Sequence, residues 1–413
     1  MIEAAKWDGM TRRLYLCMAR TLLLSIPAIG GRIIESTQRG MAMGLILVRY
    51  GEIALKGKNR PYFIGRLRKN IRDCLKTNGL SGNVSIVGQR LYVHTDEVER
   101  AADKLRDVFG IVSLSPAVEV PADIKALKEE ALRVARAVGL NERLSFHTDA
   151  RRADKTFPLT SPEINRVVGE HVQAATGARV DLSKAADLII GLEVRRGHAL
   201  VFGQTVAGHG GLPLGTEGRA VALMSGGIDS PIAAWLIMKR GCGVIPLHFR
   251  QNEAECSKFL DNCEVLSGYA YGWDIRPIVL EHDEVFGQTW DKLHRIRAER
   301  WTCIFCKRTL LQKACEIADE HKAQAVVMGD SLGQVASQTL DNLEVISYGI
   351  PKPILRPLIG LDKVEITALG RRIGTFEIST REARACPYLP PNPFTKASLP
   401  KLREITERME ALD

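Results

Sequence analysis

Between Arg219 and Gly241 the chain reads RAVALMSGGIDSPIAAWLIMKRG, and this stretch limits the folds open to it more than any other. Val221 to Met224 is a short apolar run of the kind a buried parallel strand makes. Ser225-Gly226-Gly227 follows at once, giving two residues able to take positive φ and to bring backbone N–H groups close to a ligand. Ser230 stands where an N-cap belongs, with Pro231 at the first helical position. Ala233, Ala234, Trp235, Leu236 and Met238 carry an apolar helix, and Gly241 ends it. Strand, glycine turn and capped helix in this order aim free N–H groups and a helix dipole at an anion. No G-x-x-x-x-G-K-[ST] occurs and no lysine stands in the turn, so the loop is not of the Walker A kind. The bland alternative is a tight strand–helix turn that is merely rich in glycine.

At 413 residues the chain exceeds one ordinary core. Residues 219–413 alternate strand and helix as a parallel sheet requires, with strands expected at Val221–Met224, Gly243–Phe249, Ile275–Val279, Ala325–Met328 and Ile354–Pro357. Residues 43–120 read as a small α+β domain: a strand in LILVRYG, helices over Tyr62–Asn78 and Val98–Phe109, one or two strands over Asn83–Thr95, and a closing strand over Val112–Val120. Residues 121–205 form a second module, with helices over Asp123–Val138 and from Ser161-Pro162, and strands at Leu144–Ala150, Val180–Leu182, Asp187–Glu193 and Ala199–Gln204. Residues 206–218, rich in glycine, read as a linker. Residues 1–42 read as an extension, disordered or produced by an upstream start, since Met43-Gly44 opens directly into a strand. Arg20 interrupts the apolar run there, leaving no uncharged span of about 18 residues to cross a bilayer. No membrane association is expected.

A net charge of +9 suits a polyanionic partner. Eight basic residues stand between Arg49 and Arg72 against Glu52 alone, starting in the loop RYGEIALKGKNR rather than on a helix. Lys56, Lys58 and Arg60 there, and Arg151, Arg152 and Lys155 in the turn RRADK, are candidate phosphate contacts; solvated surface charge is the alternative. Nine cysteines, with a C-x-x-C among them, do not form a secreted disulfide pattern. A reducing, cytoplasmic compartment is expected.

Four stretches from three regions together resemble the tRNA 4-thiouridine synthases of the ThiI type. RYGEIALKGKNR resembles that family's N-terminal ferredoxin-like opening, and DARRADKTFPLTSPEINRVVGEHV resembles its RNA-binding THUMP domain. GHGGLPLGTEGRAVALMSGGIDSPIAAWLIMKRG and GDSLGQVASQTLDNL resemble its pyrophosphate-loop domain. The resemblance implies an α/β protein: ferredoxin-like and THUMP modules of α+β type, then a doubly wound parallel sheet like that of adenine nucleotide α hydrolases. It also implies the reaction, which is sulfuration of tRNA uridine 8 with ATP and Mg²⁺, through adenylation of O4. tRNA, a sulfur donor (sulfide or a persulfide carrier) and a second copy in a homodimer are the implied partners.

ATP is expected on Leu223, Met224, Ser225, Gly226, Gly227, Asp229, Ser230, His248, Phe249, Arg308, Gly329, Gln334 and Gln338. Ser225, Gly226, Gly227 and Ser230 would hold the departing pyrophosphate. Asp229 would orient Mg²⁺ or cap the loop. His248 and Phe249 would meet adenine at the sheet's C-terminal edge, or form a buried core pair. Asp330, a catalytic candidate expected to close a strand, and Ser331 to Gln334, expected to open a helix, face the same edge. Gln334, Ser337 and Gln338 suit the nucleotide or target base, or are solvated and capping residues.

The sequence ends at Asp413 without a rhodanese-like stretch, so neither a persulfide relay through such a domain nor a role in thiamine thiazole synthesis is expected. WTCIFCKR supplies Cys303 and Cys306 instead, and EARACPYLPP supplies Cys386. Three thiolates of this kind could hold three irons of an iron–sulfur cubane and leave the fourth open to bind hydrosulfide. The arrangement resembles the cluster-containing members of the family that lack a rhodanese domain. A metal-free dithiol or persulfide pair is one alternative. A zinc site completed by Cys315, Cys256 or Cys263 is another. Cys17, Cys74 and Cys242 read as small hydrophobes. Rival functions are another pyrophosphate-loop tRNA thiolase, such as one making 2-thiocytidine, and a catalytically silent tRNA-binding protein.

Overall fold

The computed structural model describes residues 44–87, 90–383 and 386–412. The expectation for residues 1–42 lies outside these. Two compact units are formed, one of residues 118–204 and one that joins residues 44–117 to those from Thr205 onward.

In the first stretch, β1 (Gly44–Tyr50), β2 (Asn83–Val87), β3 (Arg90–Thr95) and the opening of β4 (Ile111–Pro121) pair antiparallel in the order β2-β3-β1-β4. Helix α1 (Arg60–Thr77) buries Phe63, Ile64, Leu67, Ile71, Cys74 and Leu75, a 3.6-residue stripe, in one core with Ile46 and Val48. Helix α2 (Val98–Leu105) adds Ala101, Ala102 and Leu105 to it.

The unit of residues 118–204 is a second α+β layer pair. Helix α3 (Ile124–Ala137) starts at Asp123, whose carboxylate accepts from the Ala126 N–H at 2.8 Å. After β5 (Ser145–Arg152) comes α4 (Ser161–Thr176). Its N-cap is Thr160, and Glu163 three residues on accepts from the Thr160 N–H at 2.7 Å. Strands β6 (Arg179–Val180), β7 (Leu188–Val194) and β8 (His198–Phe202) complete a sheet in which β5 runs parallel to β6 and β7, and β8 pairs with the end of β4. Leu127, Ala131 and Val134 of α3 and Ile164, Val168 and Val172 of α4 share its core.

From Thr205 the chain rejoins the larger unit through β9 (Val206–Ala207), which pairs with β4. The stretch expected as a linker is packed down: the N–H groups of Gly215, Thr216 and Glu217 all point to the Gly241 carbonyl, at 2.8, 2.9 and 3.1 Å. Gly241 has φ +86°, so the helix ends there as expected. Arg240 makes two hydrogen bonds to Glu52, and Asp73 accepts from the Gly272 N–H at 2.7 Å. These bonds fasten residues 44–117 to the segment that starts at Thr205.

The remaining strands, β10 (Arg219–Leu223), β11 (Gly243–Arg250), β12 (Ile278–Glu281), β13 (Ala325–Val327) and β14 (Ile354–Leu355), are all parallel, in the order β12-β11-β10-β13-β14. The first crossover helices are α5 (Asp229–Lys239), α6 (Glu253–Ser267), α7 (His282–Arg295) and α8 (Thr302–Glu320). They are followed by α9 (Leu340–Ser347), α10 (Lys363–Ile373), the short α11 (Phe376–Ser379) and α12 (Leu399–Glu410). Alternate strand residues serve two cores: Val221, Ile245 and Leu247 on one face, Ala220, Ala222 and Val244 on the other. The sheet is doubly wound, and the winding reverses from β10 to β13, so a crevice opens at its C-terminal end between β10 and β13. No helix among the described residues is long and apolar enough to cross a membrane.

Candidate active site

The loop after β10 is closed on itself. Helix α5 begins at Asp229 with Ile228 in the cap position, so Ser230 is not the N-cap the sequence suggested. Its hydroxyl turns back, accepting from the Ser225 N–H at 2.9 Å and donating to the Ser225 carbonyl at 3.2 Å. The Gly227 N–H donates to Ser225 Oγ at 3.2 Å. Neither Gly226 nor Gly227 takes a φ in the left-handed region. Their use is close approach instead. A Cβ on Gly226 would lie 2.5 Å from Glu255 Oε2, and one on Gly329 would lie 2.9 Å from the Ser230 backbone.

Asp229 is held by two residues from distant segments. Its Oδ1 is 2.6 Å from Lys363 Nζ, and its Oδ2 accepts from Gln334 Nε2 at 2.8 Å. Sequence reasoning missed Lys363. A signal was present: Lys363 is the first residue of α10, after the N-cap Asp362, where a helix dipole disfavours a cation. Gln334 does not open a helix. Gly333 has φ +72°, and Ser331 to Gln338 form a turn ending in one short 3₁₀ segment before Thr339 caps α9. β13 likewise stops at Val327, three residues short of Asp330.

Behind the loop, Met224 accepts from His248 Nδ1–H at 2.8 Å and donates its own N–H to Leu247 at 2.9 Å. His248 stacks on Phe259 at 4.8 Å, and burial lowers its pKa, so it is a neutral ring. Its Nδ1 must be the donor to a carbonyl, which leaves Nε2 a buried acceptor without a protein partner. Phe249 belongs to the core, and Leu223 packs against it. Gln338 Oε1 is a second buried acceptor without a partner.

Asp330 is buried, with Lys307 Nζ 2.8 Å from Oδ1 and Arg356 Nε 3.0 Å from Oδ2. Burial would push its carboxyl up, but the two cations outweigh it and hold the group below the usual carboxylate value. Both of its oxygens are therefore committed to anchoring. Arg308 donates to the carbonyls of Val345 and Tyr348, at 2.5 and 2.8 Å, and so closes the C-terminal end of α9. Ser337 is buried.

Cys303 and Cys306 lie inside the first turns of α8, three residues apart on one face. His282 Nε2, on the residue after β12, lies 3.4 Å from Cys306 Sγ, and Gln251 Nε2, on the residue after β11, lies 3.4 Å from Cys386 Sγ. Lys307, next to Cys306, reaches Asp330 beyond β13. The cysteines thus sit at the same C-terminal sheet edge as the loop. Burial first, then the neighbouring thiols Cys386 and Cys303, push Cys306 up to about 12; burial and Cys386 also raise Cys303. A thiolate there needs a compensating cation, and three sulfurs from two segments form a donor set suited to an iron–sulfur cluster. Among the described residues no three His, Cys, Asp or Glu side chains are already gathered as a metal site. Cys256, Cys263 and Cys315, the nominees for a zinc site, are buried.

Of the six basic candidates, Lys58, Arg151 and Lys155 are exposed. Lys56 lies over the Phe63 ring at 4.7 Å, Arg60 donates to the Ala54 carbonyl at 2.6 Å, and Arg152 donates to the Phe157 carbonyl at 3.1 Å.

Residues 45–115 match the ThiI ferredoxin-like domain, residues 121–202 the THUMP domain, and residues 215–411 the family described as thiamine biosynthesis protein (ThiI). A probable tRNA sulfurtransferase of Thermococcus kodakarensis is 41% identical over 366 residues, covering 87% of this chain and 96% of the relative. The chain belongs to the tRNA sulfurtransferase family. Another member, from Methanocaldococcus jannaschii, is 41% identical over 372 residues, covering 88% of this chain and 97% of its own. Among solved structures of similar chains, a 4-thiouridine synthetase in complex with RNA and bound ATP is 33% identical, with a TM-score of 0.77. That match covers 90% of this chain and 96% of the other. A protein from Pyrococcus horikoshii Ot3 is 31% identical, with a TM-score of 0.63, over 80% of this chain and all of its own. The family's three domains occur here in the same order as the ferredoxin-like, THUMP and parallel-sheet regions.

Proposed function

We propose that this sulfurtransferase converts uridine 8 of tRNA to 4-thiouridine, using ATP to activate the base. The observation that carries this reading is the Asp229–Lys363–Gln334 cluster on a closed glycine loop, at the switch point of a parallel sheet, with three cysteines at the same edge. The names of the relatives and the ATP and RNA of the 4-thiouridine synthetase structure agree with it.

A carbonyl oxygen is a poor leaving group. Attack of uridine O4 on the α-phosphate of ATP releases pyrophosphate and leaves O4 as an AMP ester. Sulfur then adds at C4, and AMP departs with O4. The Gly226 N–H and the Ser225 hydroxyl would receive the pyrophosphate, where charge develops, while the Ser225 and Gly227 N–H groups keep the loop closed. Asp229 is the loop's carboxylate for Mg²⁺ entering with ATP, and Lys363 would then meet phosphate oxygens. The open acceptors His248 Nε2 and Gln338 Oε1 suit the amino or hydroxyl donors of the nucleotide. An iron–sulfur cluster on Cys303, Cys306 and Cys386 would supply an iron able to bind sulfide. His282 and Gln251 would orient the cysteine sulfurs. Lys58, Arg151 and Lys155 are the proposed tRNA phosphate contacts, sulfide or a persulfide carrier the sulfur donor, and a homodimer the working form.

The test is product mapping. tRNA incubated with the protein, Mg²⁺-ATP and sulfide should gain one sulfur at position 8, with one AMP and one pyrophosphate released per sulfur. A tRNA carrying cytidine at position 8 should gain none. Sulfur on a cytidine would favour a 2-thiocytidine-type thiolase instead.

A further inference from the structure

Helix α6 carries a set of contacts that this chemistry does not use. Lys258 is buried on it, an uncommon place for a lysine unless its charge is paired. Its Nζ lies 2.7 Å from Glu255 Oε1 and donates to the backbone carbonyls of Ser379, at 3.5 Å, and Arg381, at 3.3 Å. The three donors of an ammonium thus face three acceptors. One turn further on, Asn262 Nδ2 donates to Ser379 Oγ at 3.1 Å. On its other side the same ion pair fills the space a side chain on Gly226 would need: a Cβ there would lie 2.5 Å from Glu255 Oε2 and 2.7 Å from Lys258 Cε.

One ion pair, its lysine buried, therefore touches both the back of the nucleotide loop and the turn that leads to Cys386. Cys386 follows Arg381 by five residues, a tether of at most about 17 Å when extended. Its sulfur is received by Gln251, which stands just before α6. We propose that Lys258 is a positioning residue that holds Cys386 beside Cys303 and Cys306, by locking the Ser379–Arg381 turn to the back of the nucleotide loop. The proposal rests on the reading of Cys386 as part of the sulfur-handling group, but its test needs neither ATP turnover nor tRNA.

Metal-free protein is equilibrated in glutathione buffers, and the disulfide joining Cys386 to Cys303 or Cys306 is quantified by peptide mass spectrometry. Two protein thiols are oxidised as one oxidised glutathione is reduced to two thiols, so the equilibrium constant gives the effective concentration of Cys386 at the pair. Lys258→Met should lower that concentration at least about tenfold, and Lys258→Arg should keep most of it. The Kd for α,β-methylene-ATP should stay within about twofold in both. Because Lys258→Met strands Glu255, the double variant Glu255→Gln/Lys258→Met is measured beside it and should show the same loss with a near-native Tm. A wild-type protein that forms no Cys386 disulfide, or a Lys258→Met protein that keeps the wild-type constant alone and with Glu255→Gln, would overturn the proposal. So would a parallel fall in nucleotide affinity in both variants, which would assign Lys258 to the nucleotide loop. Failure of wild-type protein to thiolate tRNA would count against the proposed function alone, since this measurement does not depend on it.

Discussion

The nucleotide loop and the cysteine group share one edge of the parallel sheet but are built in different ways. The loop is finished before any ligand arrives: Ser230 closes it onto Ser225, Gly329 lets β13's exit lie against it, and Lys363 and Gln334 fix its carboxylate. The cysteines come from a helix turn and a distant loop, near enough for Cys386 to help raise the pKa of both Cys303 and Cys306, yet among the described residues they are not gathered as a metal site. The difference suits the two jobs proposed for them. Stabilising a pyrophosphate, the role proposed for the loop, is served by donors held in place beforehand. Carrying sulfur needs thiols that close around a cation when it is present. Activation and sulfur delivery should therefore fail separately.

Loss of the loop carboxylate or its partner should give the largest effect. Asp229→Ala or Lys363→Ala should cut tRNA-dependent pyrophosphate release at least about a thousandfold, with tRNA affinity in filter binding unchanged. A comparable loss of tRNA affinity would mean that the two regions are not functionally distinct.

Each of Cys303→Ala, Cys306→Ala and Cys386→Ala should lower 4-thiouridine formation at least about a hundredfold, while pyrophosphate release stays within about threefold of wild type. Protein purified without oxygen should also lose its iron and acid-labile sulfide in each variant. A colourless wild-type protein containing zinc, or none of these metals, would replace the cluster with one of its alternatives.

Asp330→Asn tests the anchor between the two regions, because Lys307 ties it to the cysteine helix. Leaving two half-buried cations without their carboxylate should cost about 2 kcal/mol of stability. The folded pKa of Asp330 lies below its ordinary value of 3.8. Its contribution is therefore present above about pH 4 and lost as pH falls through the folded pKa. The wild-type and Asp330→Asn denaturation midpoints should converge in acid, and parallel pH curves would contradict the assignment.

The smallest effects belong to the surface. Lys58→Ala, Arg151→Ala and Lys155→Ala should each weaken tRNA binding several-fold and lower the salt slope by about 0.9 for every phosphate left without its cation. Lys56→Ala and Arg152→Ala should also disturb local packing, since both residues are engaged within the protein.

The loop could be read from the sequence because it is local: an apolar strand, two glycines and a helix lie within 23 residues. Even so, the helix cap was off by two positions, placed at Ser230 where Ile228 stands. The Ser230 hydroxyl satisfies the loop rather than the helix end, and propensity cannot decide between two nearby orphan N–H groups. The glycines were found for the wrong reason, since only tertiary contact reveals that Glu255 and Lys258 occupy the space behind Gly226. Lys363 stands 134 residues from Asp229, a pairing that no local pattern encodes. Asp330 was legible as a site-edge acid, but its two cations come from α8 and the segment after β14, which turns it into an anchor. The C-x-x-C was plain in the sequence, whereas His282 and Gln251, single polar residues at strand exits, carried no signal without the fold.

Separation of activation from delivery is the central claim, and Cys386→Ala tests it most directly. That variant is mixed with tRNA and ATP labelled in the α-phosphate, quenched within seconds, and the RNA is digested and analysed. If the loop activates O4 and the cysteines only deliver sulfur, the label should accumulate as AMP attached to uridine 8, and pyrophosphate should appear in equal amount. Pyrophosphate without label on the RNA, or no pyrophosphate at all, would contradict the account.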